Sequence, residues 1–336
     1  MAMLPLHDAR FAMSASTDAS PADAAVLSIL IVNWNTRELL LALLGRLLPT
    51  PMPCEVIVVD NLSSDDSVAA ARAAFPDAIV LAEPVNGGFA YGVNRGLERA
   101  HGRWVLLLNT DAEASWTEIE RFLAAADQHP EAAVFGPRVV DEHGHAQRTT
   151  WRRHLPRHAL LEALSLNSLF PERAPVTDSE IDCVSGCVFL IRRSMLERIG
   201  GLDERFWMYY EEEDFCERVR QAGSHVRWLP DAKFVHYGSF SANLAAEKTF
   251  LAYFESRLLY HAAWHGRFWT EWVRLCLLLG HSLRLAGWCV MAVLGRRHRV
   301  QQYRKLVSRL LRPGLIGAMC RKPRQVPPVR ALAAVS

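Results

Sequence analysis

The feature that most constrains this chain is a unit repeated along its first third: a short apolar run ending on a polar residue, followed by a helical stretch. Leu27–Asn33 is apolar and β-branched and reads as a buried strand, and residues 55–60 repeat the pattern, ending on Asp60. Residues 78–83 and 104–109 read as a third and a fourth strand. Between them, residues 37–48, 64–75 and 92–101 read as helices. Asn35 and Glu38 are placed to cap the first, and Pro49, Pro51 and Pro53 to end it. Strand and helix in alternation predict an α/β fold, a mostly parallel sheet flanked by helices. In such sheets ligands bind beyond the carboxyl ends of the strands, so the residues after each strand are the ones to inspect.

Half of the 336 residues are hydrophobic and 22% are charged, which is ample for one large core with an appendage and argues against wholesale disorder. Residues 1–25 lack the cationic start and apolar run of a signal peptide and are expected to be a flexible tail. Residues 26–245 hold the α/β unit. Within it, residues 141–182 are polar and loop-like, with a basic cluster at Arg148, Arg152, Arg153, His154, Arg157 and His158; a second α/β portion follows from Cys183. Residues 246–315 are expected to form a helical appendage and 316–336 a basic, flexible tail.

The formal net charge is only +2, yet every charged residue from Arg296 to Arg324 is basic, which suits an anionic surface. Tyr303 is a single aromatic among these basic residues and no series of aromatics is interleaved to stack on bases, so the expected partner is lipid headgroups and not nucleic acid. Residues 268–295 are strongly apolar, but Glu271, Arg274, His281 and Arg284 interrupt them and, with Arg267, fall on one side of a helix. That pattern fits either an ordinary packed helix or one lying in a membrane interface. The seven cysteines are scattered without a C-x-x-C pair and read as free thiols of a cytoplasmic protein.

Several strand ends carry groups with chemistry. A carboxylate at Asp60 can accept hydrogen bonds from a base or ribose, whereas the Ser/Asp run after it also fits a helix cap. Residues 86–94, from Asn86 to Asn94, include glycines that let backbone approach a ligand and open a helix toward phosphate. No G-x-G-x-x-G follows the first strand, which counts against a dinucleotide-binding dehydrogenase. Asp111 stands after the fourth strand, where a carboxylate can hold a divalent cation that also grips two phosphates. Ser115 and Glu118 already supply a capping box for the next helix, so Asp111 is not needed there. Glu211, Glu212, Glu213 and Asp214 follow the aromatic run 206–210. Four adjacent carboxylates packed behind aromatics should raise at least one pKa toward neutrality, as a general base requires; Glu211 and Glu212 are the candidates. His236 ends a strand-like segment and is a candidate ligand for metal or diphosphate.

Together these segments resemble glycosyltransferase family 2, in particular its rhamnosyltransferase-like bacterial branch. The matching pieces are Val32 to Asn35, Val58 to Asn61 with Ser63 to Ser67, Asn86 to Phe89, Leu107 to Asp111, Ser185 to Arg193, Gly200 to Phe206 and Tyr210 to Gly223. The resemblance implies the GT-A fold and single displacement with inversion at the sugar carbon. It implies that Asp60 contacts the base, that Asn109 and Asp111 occupy the D-x-D positions with Asp111 on Mg2+ or Mn2+, that Glu212 takes the acceptor proton, and that His236 joins the metal or diphosphate. Asn33, Asn61, Ser63, Asn86, Gly88, Phe89 and Asn94 are then expected around the nucleotide sugar. Trp207, Tyr210 and Asp214 are expected at the acceptor, with Arg152 and Arg153 toward a pyrophosphate. The implied partners are a nucleoside diphosphate sugar, with dTDP-rhamnose favoured, a glycan or polyprenyl-diphosphate-linked acceptor, and an anionic membrane surface. The chain departs from the family pattern at Asn109, which adds no charge at the metal, and at the base position, where Glu replaces Asp. A sugar nucleotidyltransferase and an inactive binding subunit are the alternatives. The first lacks a Lys/Arg-rich glycine loop after the first strand; the second is supported only by Glu at the base position.

Overall fold

A computed structural model describes residues 25–166, 175–238, 246–293 and 298–330; residues 1–24 of the expected N-terminal tail and the Arg296–Arg297 pair therefore lie outside the described residues. The strands are β1 (Leu27–Asn33), β2 (Cys54–Asp60), β3 (Ile79–Ala82), β4 (Trp104–Leu108), β5 (Ala112–Glu113), β6 (Ala132–Val140), β7 (Thr150–Trp151), β8 (Ser179–Glu180), β9 (Cys183–Val184), β10 (Val188–Arg192) and β11 (His225–His236). Nine of them form one sheet in the order β3-β2-β1-β4-β10-β6-β11-β5 with β8 paired to β11, and β7 and β9 form a separate ribbon.

The alternation predicted for the first third is present. β1 pairs in parallel with β2 and β4, and β2 with β3. Beyond β4 the sheet is mixed and not mostly parallel: β10 runs antiparallel to both β4 and β6, and β5 antiparallel to β11. Side chains alternate across a strand, so each strand feeds two cores. Ile29, Ile31, Val58 and Leu106 pack with Leu40 and Leu44 of the helix Arg37–Leu47 and with Phe122 of the helix Trp116–Asp127. Leu30, Ile57, Val59 and Leu107 pack on the other face, with Val93 of the helix Phe89–Leu97 and Phe215 of the helix Glu211–Gln221.

The appendage consists of the helices Ala246–Trp264, Gly266–Val293, His298–Leu310 and Leu315–Arg321. Its core joins Leu258, Val273, Leu277, Leu306 and Ile316 to Ala159 and Ala163. The polar stretch 141–182 thus contributes a short helix, Ala159–Ala163, to the appendage.

The C-terminal segment is not loose through Arg330. The amide of Gly201 donates to Pro327 O at 2.9 Å, the amide of Glu204 to Gln325 O at 2.9 Å, and the Arg193 guanidinium to Arg330 O at 2.9 Å. Gly200, at φ +78°, leaves room for this strap: a Cβ there would lie 2.7 Å from Val326. Asp214 fastens the assembly. Fully buried, it accepts from Arg218 Nε at 2.9 Å, Trp264 Nε1 at 2.9 Å and Arg324 Nη1 at 2.7 Å. A buried carboxylate is stable only while its lone pairs are met. Arg324→Ala is expected to cost about 1–3 kcal/mol, because Arg218 and Trp264 remain. A thermal melt showing an unchanged midpoint would contradict this role for the strap.

Candidate active site

A cleft of about 210 Å³ opens beyond the carboxyl ends of β1, β2 and β4. Val32 and Trp34 come from the end of β1, Asn61 from the end of β2, and Asn109, Thr110 and Asp111 from the end of β4; Asn86, Gly88 and Phe89 line it after β3. Trp207, Met208, Tyr209, Glu211 and Glu212 close the opposite side, and His236 enters at the end of β11.

Backbone pairing explains the most distant meeting. β11 runs antiparallel to β5, with His236 opposite Ala112, and the amide of Tyr237 donates to Asp111 O at 2.9 Å. His236 Nε2 therefore faces Asp111 Oδ1 at 3.2 Å. Gln147 orients the ring: its Nε2 donates to His236 O at 2.6 Å, which leaves Oε1, 3.1 Å from His236 Nδ1, to accept from the ring. With its proton on Nδ1, His236 turns the Nε2 lone pair to the carboxylate. Nε2 is buried and, among the described residues, makes no hydrogen bond. Two acceptors facing one another at this distance are repulsive unless a cation or a proton lies between them. That donor set fits a divalent ion. Among the described residues, no group of three or more His, Cys, Asp and Glu side chains is arranged to hold a metal unaided.

The four acids of 211–214 are sorted by the helix they open. Tyr209 and Tyr210, both at φ +68°, turn the chain into that helix. Residues two apart on a helix point about 200° apart, so Glu212 and Asp214 diverge. Asp214 faces the strap, and Glu213 pairs with His154 Nδ1 at 2.8 Å. Glu211 and Glu212 face the cleft, each with an Oε2 that has no hydrogen-bond partner among the described residues. Burial, reinforced by the Glu213 charge, pushes the Glu212 carboxyl up to about 7. Burial and the neighbouring Glu212 hold Glu211 well above the ordinary carboxylate range.

Other expected contacts lie elsewhere. Asn33, Asp60 and Ser63 form the layer under the cleft: Asn33 Nδ2 donates to Asp60 Oδ2 at 2.7 Å and the Ser63 amide to Asp60 Oδ1 at 2.8 Å. Asn94 is buried on the other side of its helix, where Nδ2 donates to Leu202 O at 2.9 Å and Oδ1 accepts from Leu202 N at 2.8 Å. Tyr210 packs against Tyr253 and Tyr260, leaving Tyr209 to line the cleft. Arg152 is exposed and off the cleft. Arg153 meets Glu217 at 3.4 Å and Asp182 at 3.7 Å, and does not line the cleft either. Asn35 does not cap the first helix. It sits at φ +51° and its Oδ1 accepts from Ser64 N, while Asp65 accepts from the Arg37 amide at 2.9 Å.

Gly88 serves a purpose other than phosphate contact. At φ +95°, a Cβ there would lie 2.0 Å from Trp207 O, and that carbonyl accepts from the Phe89 amide at 2.8 Å. The glycine thus lets the aromatic run close onto the helix start. Lys248 and Thr249 were not legible as site residues. They begin the first appendage helix, yet Thr249 lines the cleft and Lys248 Nζ rests 3.6 Å from the centre of the Trp207 ring.

The family model for Glycosyl transferase family 2 matches residues 28–200, and one described as the N-terminal domain of galactosyltransferase matches residues 174–240. The chain belongs to glycosyl transferase family 2, and its fold is the GT-A fold. It is 27% identical over 282 residues to an N-acetylglucosaminyl-diphospho-decaprenol L-rhamnosyltransferase of Mycobacterium tuberculosis, covering 77% of this chain and 91% of the relative. It is 29% identical over 204 residues to a low-salt glycan biosynthesis hexosyltransferase of Haloferax volcanii, covering 60% of this chain and 63% of that protein. In fold it is similar to a mannosyltransferase of Pyrobaculum calidifontis in complex with GDP-Man and Mn2+, with a TM-score of 0.50 at 16% identity, covering 90% of this chain and 88% of that one.

Proposed function

We propose that this glycosyltransferase moves rhamnose, with inversion, from dTDP-rhamnose to a hydroxyl of a glycan carried on polyprenyl diphosphate, in the synthesis of a cell-surface polysaccharide at the inner face of the cytoplasmic membrane. The observation that carries the reading is the presence, in one cleft, of an Asp111–His236 pair suited to a divalent ion and of Glu212, titrating near neutrality. The mycobacterial relative's named reaction supports rhamnose and the lipid-linked acceptor.

Bound by Asp111 and His236, Mg2+ or Mn2+ would supply positive charge to the departing diphosphate. Glu212 accepts the acceptor's hydroxyl proton as the new bond to the sugar C1 forms and the bond from C1 to the phosphate oxygen breaks. The electron pair of the broken bond leaves with the nucleoside diphosphate, and attack from the opposite side inverts C1. The partnerless Oε2 of Glu212 is a site for that proton. Asn61, held by its Nδ2 bond to Gly88 O at 2.9 Å, keeps for the nucleotide a buried Oδ1 that has no partner among the described residues. Incubating the enzyme with labelled dTDP-rhamnose, UDP-GlcNAc or GDP-mannose and a polyprenyl-diphosphate-linked GlcNAc tests the reading. Label should enter the lipid fraction from dTDP-rhamnose; transfer from another donor alone would assign a different sugar.

A further inference from the structure

The helix Gly266–Val293 is amphipathic in an inverted sense. Three of its polar side chains point into the protein: Arg274 donates to Leu310 O at 2.8 Å, Arg284 donates to Ala163 O at 2.9 Å, and His281 stacks on Tyr303. Gly280 packs so closely that a Cβ would lie 2.3 Å from Ala163 O. The opposite side is apolar and open to solvent. Phe268 is 75% exposed, Leu275 53%, Leu283 56% and Val290 68%, with Trp272 and Leu279 between them. These positions recur at three- and four-residue intervals, so they form one continuous stripe. No exposed residue from Phe268 to Val290 is charged.

An exposed apolar stripe of this length demands a cover. The chain around it indicates which. No Asp or Glu follows Glu271 in the sequence, and Arg267, Arg299, Arg304 and Arg312 are exposed at the ends of this helix and on the helices after it. A second copy would bring basic surfaces face to face, whereas anionic headgroups complement them. The helix is long and apolar enough to cross a bilayer by length and composition. Its bonds through Arg274 and Arg284 instead hold one side to the protein, which leaves the outer half for a surface.

We infer that this stripe is a membrane-docking surface: the helix lies in the plane of an anionic bilayer, with Phe268, Trp272, Leu275, Leu279, Leu283 and Val290 among the acyl chains. The inference deepens the lipid-linked-acceptor reading by assigning the face that meets the lipid. Of the residues expected on one side of this helix, Arg274, His281 and Arg284 are the ones turned toward the protein.

Flotation of the full chain with phosphatidylglycerol-containing vesicles, without donor or acceptor, tests it. Wild type should float, and Leu279→Glu combined with Leu283→Glu should bind at least about tenfold more weakly. The melting temperature and release of nucleoside diphosphate from a soluble acceptor reaction should be unchanged. If the double variant melts early, quenching of wild-type tryptophan fluorescence by vesicles with brominated acyl chains decides: Trp272 should be quenched, and its absence overturns the inference. Equal flotation of both proteins also overturns it. So does a wild type that ignores vesicles but elutes as a dimer which the double substitution dissociates, since the stripe's cover is then a second copy. None of these results bears on catalysis, so failure of docking and failure of the transferase reading are separable.

Discussion

Asp111→Asn should lower metal-dependent release of nucleoside diphosphate by about a thousandfold, the equivalent of about 4 kcal/mol of lost charge stabilisation. The substitution keeps the shape of a residue that is only 4% exposed, so the core under it is preserved. It removes the single formal negative charge among Asn109, Thr110 and Asp111, because Asn109 supplies none. His236 would then face a neutral amide, and one neutral imidazole is a poor site for Mg2+ or Mn2+. Two readings check the outcome: turnover, and the rise in melting temperature on adding nucleoside diphosphate with Mn2+. Both should fall in the variant. Retention of the Mn2+-dependent stabilisation would place the cation elsewhere.

Glu212→Gln should lower kcat by about 10²–10⁴-fold while leaving donor affinity nearly unchanged, because it removes a proton acceptor and not a ligand of the nucleotide. The pH profile adds a signature. Burial and the Glu213 charge raise this carboxyl to about 7, so the basic form accumulates as pH rises through that value. Wild-type kcat should therefore climb between about pH 6 and 8, and the variant's residual rate should lack that limb. Glu211→Gln is the control. Burial and the neighbouring Glu212 push the Glu211 carboxyl well above the ordinary carboxylate range. With Glu212 as the proton acceptor, the loss for Glu211→Gln should be smaller. A larger loss for Glu211→Gln would reverse the assignment.

Much of the first half was legible because local rules agree there. β1 spans the residues its β-branched run predicts, and Ser115 caps its helix by accepting from the Glu118 amide. Glu118 does not return the bond; its carboxylate accepts from Lys233 N at 2.7 Å, which ties the helix to β11. The helix expected from residue 64 starts at Ser67, because Ser64 and Asp65 bond Asn35 and Arg37 across the sheet edge. Such long-range hydrogen bonds leave no periodic trace. The helix expected at 92 begins at Phe89 because Trp207 O meets its first amide. Asp214 and Tyr210 are expected at the acceptor, whereas helical rotation and a left-handed turn send them into the core. In the appendage, periodicity revealed two faces but could not say which was inside: polar side chains with bonding partners point inward as readily as apolar ones.

The most direct measurement is nucleoside diphosphate release from dTDP-rhamnose, UDP-sugars and GDP-sugars, with a polyprenyl-diphosphate-linked acceptor present, in Mn2+, Mg2+ or EDTA. The Asp111–His236 pair and Glu212 predict release from one donor class that stops in EDTA and returns when Mn2+ is restored. Release that continues undiminished in EDTA would contradict a cation held between Asp111 and His236, and with it the proposed mechanism.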